Sequence, residues 1–107
     1  MEHLEFDFPG DPGAPAPAAE PVLVGVVSSG NLEVLIEPAA LAGGCRVRID
    51  TSIRGYRPIW QAVLADFFGR HRLRDLQVSI NDAGATPAVV SLRLDQAIEA
   101  LGREASG

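Results

Sequence analysis

Two β-branched apolar runs separated by a short polar segment are the feature that most constrains the fold of this chain. Residues 22–36 read Val-Leu-Val-Gly-Val-Val-Ser-Ser-Gly-Asn-Leu-Glu-Val-Leu-Ile, and the polar segment is Ser28-Ser29-Gly30-Asn31. This pattern predicts a β-hairpin, because Gly30 and Asn31 tolerate the positive φ that tight two-residue turns require. Ser29 then lies at or beside the apex, with its hydroxyl in solvent. Hairpins also end in these residue types for turn formation alone, so the segment admits either a modified serine or an ordinary turn.

The rest of the chain predicts two more strands and two helices. Residues 45–53 and residues 76–80 alternate polar and apolar side chains with period two, which is typical of half-exposed strands. Apolar residues recur at three-and-four spacing across residues 58–69, which predicts a helix. A second helix is expected to begin with Thr86 as N-cap and Pro87 at the first helical position.

The predicted order of elements is therefore β-β-β-α-β-α. An α+β fold with one four-stranded sheet and two helices on one face satisfies this order. The aromatic side chains of the first helix fall in its apolar stripe and are expected in the core rather than in a ligand cage. They are Trp60, Phe67 and Phe68.

The N-terminal part of the chain differs in composition from the rest. Residues 9–21 form a Pro/Ala/Gly tract, which favours extended conformations and reads as a linker. We therefore divide the chain into an acidic, Pro/Ala-rich segment, residues 1–21, and a domain, residues 22–107. Before the tract, apolar residues alternate with acidic ones, which fits either a short edge strand or a mobile segment. These apolar residues are Leu4, Phe6 and Phe8.

Composition argues against several classes of protein. No apolar run approaches the roughly 18 residues that span a bilayer, and the acidic residues 1–8 lack the basic region of a secretory signal, so we expect a cytoplasmic location. The single cysteine, Cys45, excludes an intramolecular disulfide and is expected to be a packing residue. With only His3 and His71, the chain has no zinc-ligand spacing, and we expect no metal site.

Charge is unevenly distributed along the chain. Residues 1–45 carry a formal charge of −7 without a single basic residue, whereas residues 46–107 carry +2 from nine arginines and seven acids. This balance disfavours nucleic-acid binding, which depends on phosphate neutralisation, and the acidic half suits a partner with a basic docking surface. Arg70, Arg72 and Arg74 form a basic run that is either a solvated helix end or a clamp for phosphates.

Independent catalysis is not expected from this sequence. The chain contains no glycine-rich phosphate loop, no zinc spacing and no nucleophile elbow, and Ser29 has no nearby general base. Asp82 and His71 could be brought together by folding, although a turn residue and a solvated side chain are the simpler interpretations.

Two segments of the chain resemble one known family. Residues 24–38, which contain Ser29-Gly30-Asn31, and residues 81–87, Asn-Asp-Ala-Gly-Ala-Thr-Pro, are similar to the acyl carrier (delta) subunits of bacterial malonate decarboxylase. The resemblance covers nearly all of the chain from Val22 onward and includes the order of elements. The acyl carrier (gamma) subunits of citrate lyase are more distant relatives that share a Ser-Gly-Asp turn before an apolar strand.

The resemblance implies a non-catalytic carrier. Its turn serine, Ser29 here, would bear 2′-(5″-triphosphoribosyl)-3′-dephospho-CoA through a phosphodiester. The thiol of that group, rather than Cys45, would hold acetyl and exchange it for malonyl on a transferase subunit, and decarboxylase subunits would regenerate the acetyl thioester. Implied partners are these subunits and a prosthetic-group transferase, with neither nucleic acid nor membrane.

The turn departs from the family pattern at two positions. The family reads Gly-Ser-Gly-Asp where this chain has Ser28-Ser29-Gly30-Asn31. Ser28 adds a second candidate hydroxyl, while Asn31 keeps the turn-forming shape without the carboxylate. Ser29 is the expected attachment residue, with Ser28, Gly30 and Asn31 as the supporting turn. The alternatives are a docking or adaptor subunit, a citrate lyase-type carrier, a phosphopantetheine carrier and an independent hydrolase.

Overall fold

Five strands and two helices make up the computed structural model, which describes residues 1–17, 20–25 and 30–106, with side chains as far as Leu101. In chain order the elements are β1 (Glu2–Phe8), β2 (Val22–Gly25), β3 (Leu32–Pro38), β4 (Cys45–Thr51), α1 (Arg57–Arg70), β5 (Leu76–Asp82) and α2 (Pro87–Ser106).

The strands form one mixed sheet in the order β1-β4-β5-β3-β2. All neighbouring pairs are antiparallel except β4 and β5, which are parallel, with Cys45 opposite Leu76 and Thr51 opposite Asp82. Parallel neighbours need a crossover connection, and α1 supplies it. The C-terminal ends of β4 and β5 therefore lie at the same end of the sheet as the N-terminal end of β3.

One face of the sheet is buried and the other is polar. Alternate residues of the strands point toward the helices, as in β3, where Leu32, Val34 and Ile36 are fully buried while Glu33 and Glu37 are not. Both helices cover the buried face, as the alternation predicts. Trp60 and Phe67 of α1 lie in the core as predicted, and Phe68 is partly buried against it.

The expected four-stranded sheet is wrong, because β1 adds a fifth strand at the edge beside β4. The physical reason is cross-strand pairing that the sequence does not display locally. Arg46 Nε lies 3.0 Å from Asp7 Oδ1, Arg48 Nε lies 3.4 Å from Glu5 Oε2, and Arg57 stacks 4.7 Å above the Phe6 ring. Acidic residues of the N-terminal half thus meet arginines of the C-terminal half.

The element boundaries differ only slightly from those predicted. Thr86 is the N-cap of α2, because its Oγ1 accepts a hydrogen bond from the Val89 N–H at 3.3 Å. Helix α1 begins and ends one residue outside the predicted range, and β4 ends at Thr51 instead of Ile53.

The first half of the Pro/Ala/Gly tract lies against the fold. The Asp11 N–H donates to Leu73 O at 2.8 Å, and Ala14 O accepts from Arg74 Nε at 2.8 Å. Residues 11–14 are therefore fastened to the loop before β5. The domain boundary before Val22 stays a prediction.

Candidate functional site

The turn between β2 and β3 is described on both flanks but not at its centre. Ser28 and Ser29 lie outside the described residues, which stop at Gly25 and resume at Gly30. The two glycines adopt positive φ, +87° at Gly25 and +75° at Gly30. Strands β2 and β3 are paired antiparallel as predicted, and within the described residues the pairing runs from Val22 opposite Ile36 to Gly25 opposite Glu33.

Gly30 and Asn31, which the sequence marks as residues that tolerate positive φ, differ in conformation, and the residues between Gly25 and Gly30 lie outside the described part of the chain. Of the two residues, only Gly30 has positive φ. Both continue the β3 side toward β5, because the Gly30 N–H donates to Ala83 O at 2.8 Å and the Ala83 N–H donates to Asn31 O at 2.9 Å. Gly30 and Asn31, directly before β3, are therefore held by the segment that follows β5.

Asn31 is the centre of the polar contacts at this turn. Its Oδ1 accepts from the Leu32 N–H at 2.8 Å and from Arg93 Nε at 3.3 Å. Arg93 belongs to α2 and also donates to Gln96 Oε1 at 2.9 Å. Sequence reasoning missed Arg93, although one signal was present: it is the only charged residue in the first eight positions of α2, residues 87–94.

Next to the turn, a buried polar pair holds the end of the sheet together. Asp82 is 5 % exposed, and its carboxylate accepts from Thr51 Oγ1 at 2.7 Å and from the Ala85 N–H at 2.9 Å. Thr51 is fully buried, and its Oγ1 accepts from the Ile53 N–H at 3.1 Å. The pair fixes the segment that carries Ala83, and hence the backbone that pairs with Gly30 and Asn31.

Replacing Thr51 with valine should destabilise this end of the sheet. The change removes the hydroxyl that Asp82 Oδ2 and the Ile53 N–H both bond, while Asp82 Oδ1 keeps the Ala85 N–H, and it is expected to lower the free energy of unfolding by about 1–3 kcal/mol. Thr51→Ser keeps the hydroxyl and loses one buried methyl, about 0.8 kcal/mol. Denaturant unfolding of both variants measures the difference. A valine variant as stable as the serine variant would contradict a structural role for the hydroxyl.

The basic run lies at the other end of the sheet. Arg74 precedes β5, whereas Ala83 follows it, so the length of β5, roughly 20 Å at about 3.3 Å per residue, separates the run from the turn. Arg70 contacts Asp66 and Asp95 at 2.9 and 3.0 Å.

The other two arginines of the run are also paired. Arg72 contacts Asp11 at 2.6 Å and Arg74 contacts Asp75 at 2.8 Å. The hydrogen bond from Arg72 lowers the pKa of Asp11, and the Gly43 and Leu41 N–H groups, with Arg74, lower that of Asp75. Arg70 therefore joins α1 to α2, whereas Arg72 and Arg74 contact loop residues, and each of the three guanidiniums has a carboxylate partner.

Asp82 and His71 are not brought together. His71 follows the C-terminal end of α1, and its Nε2 lies 3.0 Å from Asp95 Oδ1. Asp82 lies at the C-terminal end of β5, where it accepts a hydrogen bond from Thr51. Cys45 is 2 % exposed on the inner face of β4, and burial raises the pKa of its thiol. A thiol that is buried and held in its neutral form is a poor nucleophile.

Neither helix within the described part of the chain has the combination of length and hydropathy that a bilayer span requires.

Comparison with known proteins gives consistent matches. The family model for the malonate decarboxylase delta subunit (MdcD) matches residues 19–101. The malonate decarboxylase acyl carrier protein of Burkholderia cepacia is 67% identical over 97 residues, which cover 91% of this chain and 87% of that protein. The corresponding protein of Stenotrophomonas maltophilia K279a is 59% identical over 101 residues, 94% of each chain.

A solved structure shows the same fold. It is a chain in the crystal structure of a Pseudomonas malonate decarboxylase hetero-tetramer in complex with malonate, with a TM-score of 0.84 and 40% sequence identity. The alignment covers 95% of the present chain and 100% of that chain. The likeness therefore extends over nearly the whole of the present chain.

Proposed function

The chain belongs to the malonate decarboxylase delta subunit family, the acyl carrier proteins of that enzyme. On that premise, we propose that it carries acetyl and malonyl groups on a prosthetic group attached to Ser29. The observation that supports this most directly is the construction of the turn. A short segment containing two serines is flanked by glycines at positive φ and held on one side by Ala83.

The described residues of the turn fit a bulky phosphate-linked group. A Cβ built on Gly30 would meet no atom of the described residues within 4 Å, so on their side the position directly after Ser29 is open. Asn31 and Arg93 place an amide and a guanidinium beside it, both of which can donate to phosphate oxygens. When bound, phosphoribosyl-dephospho-CoA supplies a terminal thiol that forms thioesters with the acyl groups.

Loading of the carrier is a phosphoryl transfer to the serine. Ser29 Oγ forms the new bond to the phosphorus nearest the ribose of triphosphoribosyl-dephospho-CoA, and the bond from that phosphorus to the terminal pyrophosphate breaks. Pyrophosphate leaves with the bonding electrons, and the hydroxyl proton passes to the transferase or to water. Modification by the transferase requires a serine that both the enzyme and the nucleotide can reach, as at an exposed turn.

Acyl exchange and decarboxylation are assigned to the partner subunits, a transferase and a decarboxylase. This chain positions the attachment serine and keeps its own thiol out of the reaction. Tethering raises the effective concentration of the acyl group at successive active sites. The alternative is a docking or adaptor subunit, which assembles with the partners without needing Ser29.

Mass spectrometry tests the proposal. Protein co-produced with its modifying enzymes should gain the mass of one phosphoribosyl-dephospho-CoA. Trypsin releases residues 1–46 as one peptide, because Arg46 is the first basic residue, and its only serines are Ser28 and Ser29. Fragmentation between them assigns the site. An unmodified mass would overturn the proposal, and a gain of phosphopantetheine alone would indicate the ordinary type of carrier.

A thiol titration tests which sulfur is used. Cys45→Ala should leave loading and acetylation unchanged, within about twofold, because the Cys45 thiol is buried and its pKa is raised. Native loaded protein should react with a thiol reagent at one fast site, and unloaded protein at none. Loss of acetylation in the alanine variant, with its fold intact by circular dichroism, would instead assign the thioester to Cys45.

A further inference from the structure

We propose that Arg93 is a phosphate-binding residue of this carrier, whose guanidinium contacts the phosphodiester at Ser29 and assists loading of the serine. The inference rests on the proposed attachment at Ser29 and adds to it a residue from α2 that recognises the anionic end of the group. Three observations support a phosphate-binding role: the position of Arg93, the partners of its guanidinium, and the charge of the whole chain.

Arg93 contacts both ends of the segment that contains the serines. On the far side, its Nε donates to Asn31 Oδ1 at 3.3 Å. On the near side, a Cβ built on Gly25 would lie 3.3 Å from Arg93 Cδ and 3.4 Å from its Nε, so the missing side chain of Gly25 makes room for the arginine. Gly25 and Asn31, described residues on either side of the two serines, thus both lie beside this one side chain.

Arg93 contacts a residue close to Ser29 in the chain. Ser29 is followed by Gly30 and then by Asn31, whose side-chain oxygen accepts from Arg93 Nε. A phosphodiester on Ser29 would therefore form two residues, along the chain, from a hydrogen-bond partner of the guanidinium.

The guanidinium of Arg93 is not neutralised by a described carboxylate. Its hydrogen bonds go to the amide oxygens of Asn31 and Gln96, which are neutral. Other arginines of the chain are in ion pairs with carboxylates. They are Arg46, Arg48, Arg70, Arg72 and Arg74. Arg93 is half-buried, so its charge is less screened by solvent than that of an exposed arginine.

The charge of the chain explains why such a cation matters. The protein carries a formal charge of −5, and the incoming donor bears several phosphates, so the two repel each other at long range. A guanidinium presents N–H groups in a planar fork that binds two phosphate oxygens at once. Arg93 donates to Asn31 through Nε and to Gln96 through Nη1, and its other N–H groups have no hydrogen-bond partner among the described residues. The guanidinium therefore supplies local attraction where the phosphodiester forms.

Loading kinetics test the role of Arg93. Arg93→Gln removes the charge but keeps an amide that can donate to Asn31, and Arg54→Gln removes an exposed arginine between β4 and α1 as the matched control. At low ionic strength, the initial rate of mass gain with the transferase should fall about tenfold to a hundredfold in Arg93→Gln. Arg93→Lys should be intermediate, and Arg54→Gln within about twofold of the wild type. Equal rates for the two glutamine variants would overturn the proposal.

An NMR readout separates contact with the phosphodiester from support of the turn. The Nε–H signal of Arg93, identified by its loss in Arg93→Gln, should move downfield between unloaded and loaded wild-type protein. An unmoved signal overturns the phosphate contact even if the variant loads slowly. Wild-type protein that gains no mass overturns both proposals, whereas normal loading of wild type and of Arg93→Gln overturns this one alone.

Discussion

Replacing Ser29 with alanine is expected to abolish the gain of mass under conditions that convert the wild-type chain completely. Alanine has no oxygen to form the phosphodiester, so the loss is complete rather than partial. Ser28→Ala should load to completion, because it retains the Ser29 hydroxyl. Intact mass gives the extent of loading in each variant, and the tryptic peptide of residues 1–46 gives the position.

The same pair of variants distinguishes the carrier from its rivals. Full loading of Ser29→Ala with loss in Ser28→Ala would move the attachment to Ser28, and loading of the double variant would place it outside the turn. A carrier predicts that Ser29→Ala still binds the partner subunits but does not support malonate decarboxylation. A docking subunit predicts that binding and decarboxylation both persist, so measuring the two together decides between them.

The parts of the fold that were predicted correctly are those with strong local signals. The alternation in residues 45–53 and 76–80 and the apolar stripe of α1 indicate which face of each element is buried, and Thr86-Pro87 marks the start of α2. Strand β1 could not be assigned in this way. It pairs with β4, buries Leu4 and Phe6, and contacts arginines of β4 and α1, all of which are distant in sequence.

The candidate site shows the same division between local and distant information. Gly30 and Asn31 could be recognised as turn residues, but their pairing with Ala83 depends on β3 lying beside β5. The arginines of residues 70–74 are adjacent in sequence and were therefore considered for phosphate binding. Arg93, which contacts the turn, lies in an otherwise uncharged stretch of helix and gives no such signal. The length of β5 separates residues 70–74 from the turn, a separation that the sequence does not display.

Gly25 is expected to be the position in the turn least tolerant of a side chain. Its φ of +87° costs an alanine about 1–2 kcal/mol, and the added Cβ would lie 2.3 Å from the carbonyl oxygen of Leu32. Relief of that contact requires β2 and β3 to move apart, which adds about 1–3 kcal/mol. Gly25→Ala should therefore lower the free energy of unfolding by about 2–5 kcal/mol, and the midpoint of thermal unfolding by roughly 10 °C or more.

Gly55→Ala provides the matched control for this prediction. Gly55 has nearly the same φ, +84°, but a Cβ built there would meet no atom within 4 Å. Its alanine variant should show only the backbone cost of about 1–2 kcal/mol. Calorimetry or denaturant unfolding of the two variants isolates the contact with Leu32, because the backbone cost is common to both. Equal destabilisation would mean that β2 and β3 can move apart at no measurable energetic cost. The close approach of Gly25 to Leu32 would then not hold the start of the turn in place.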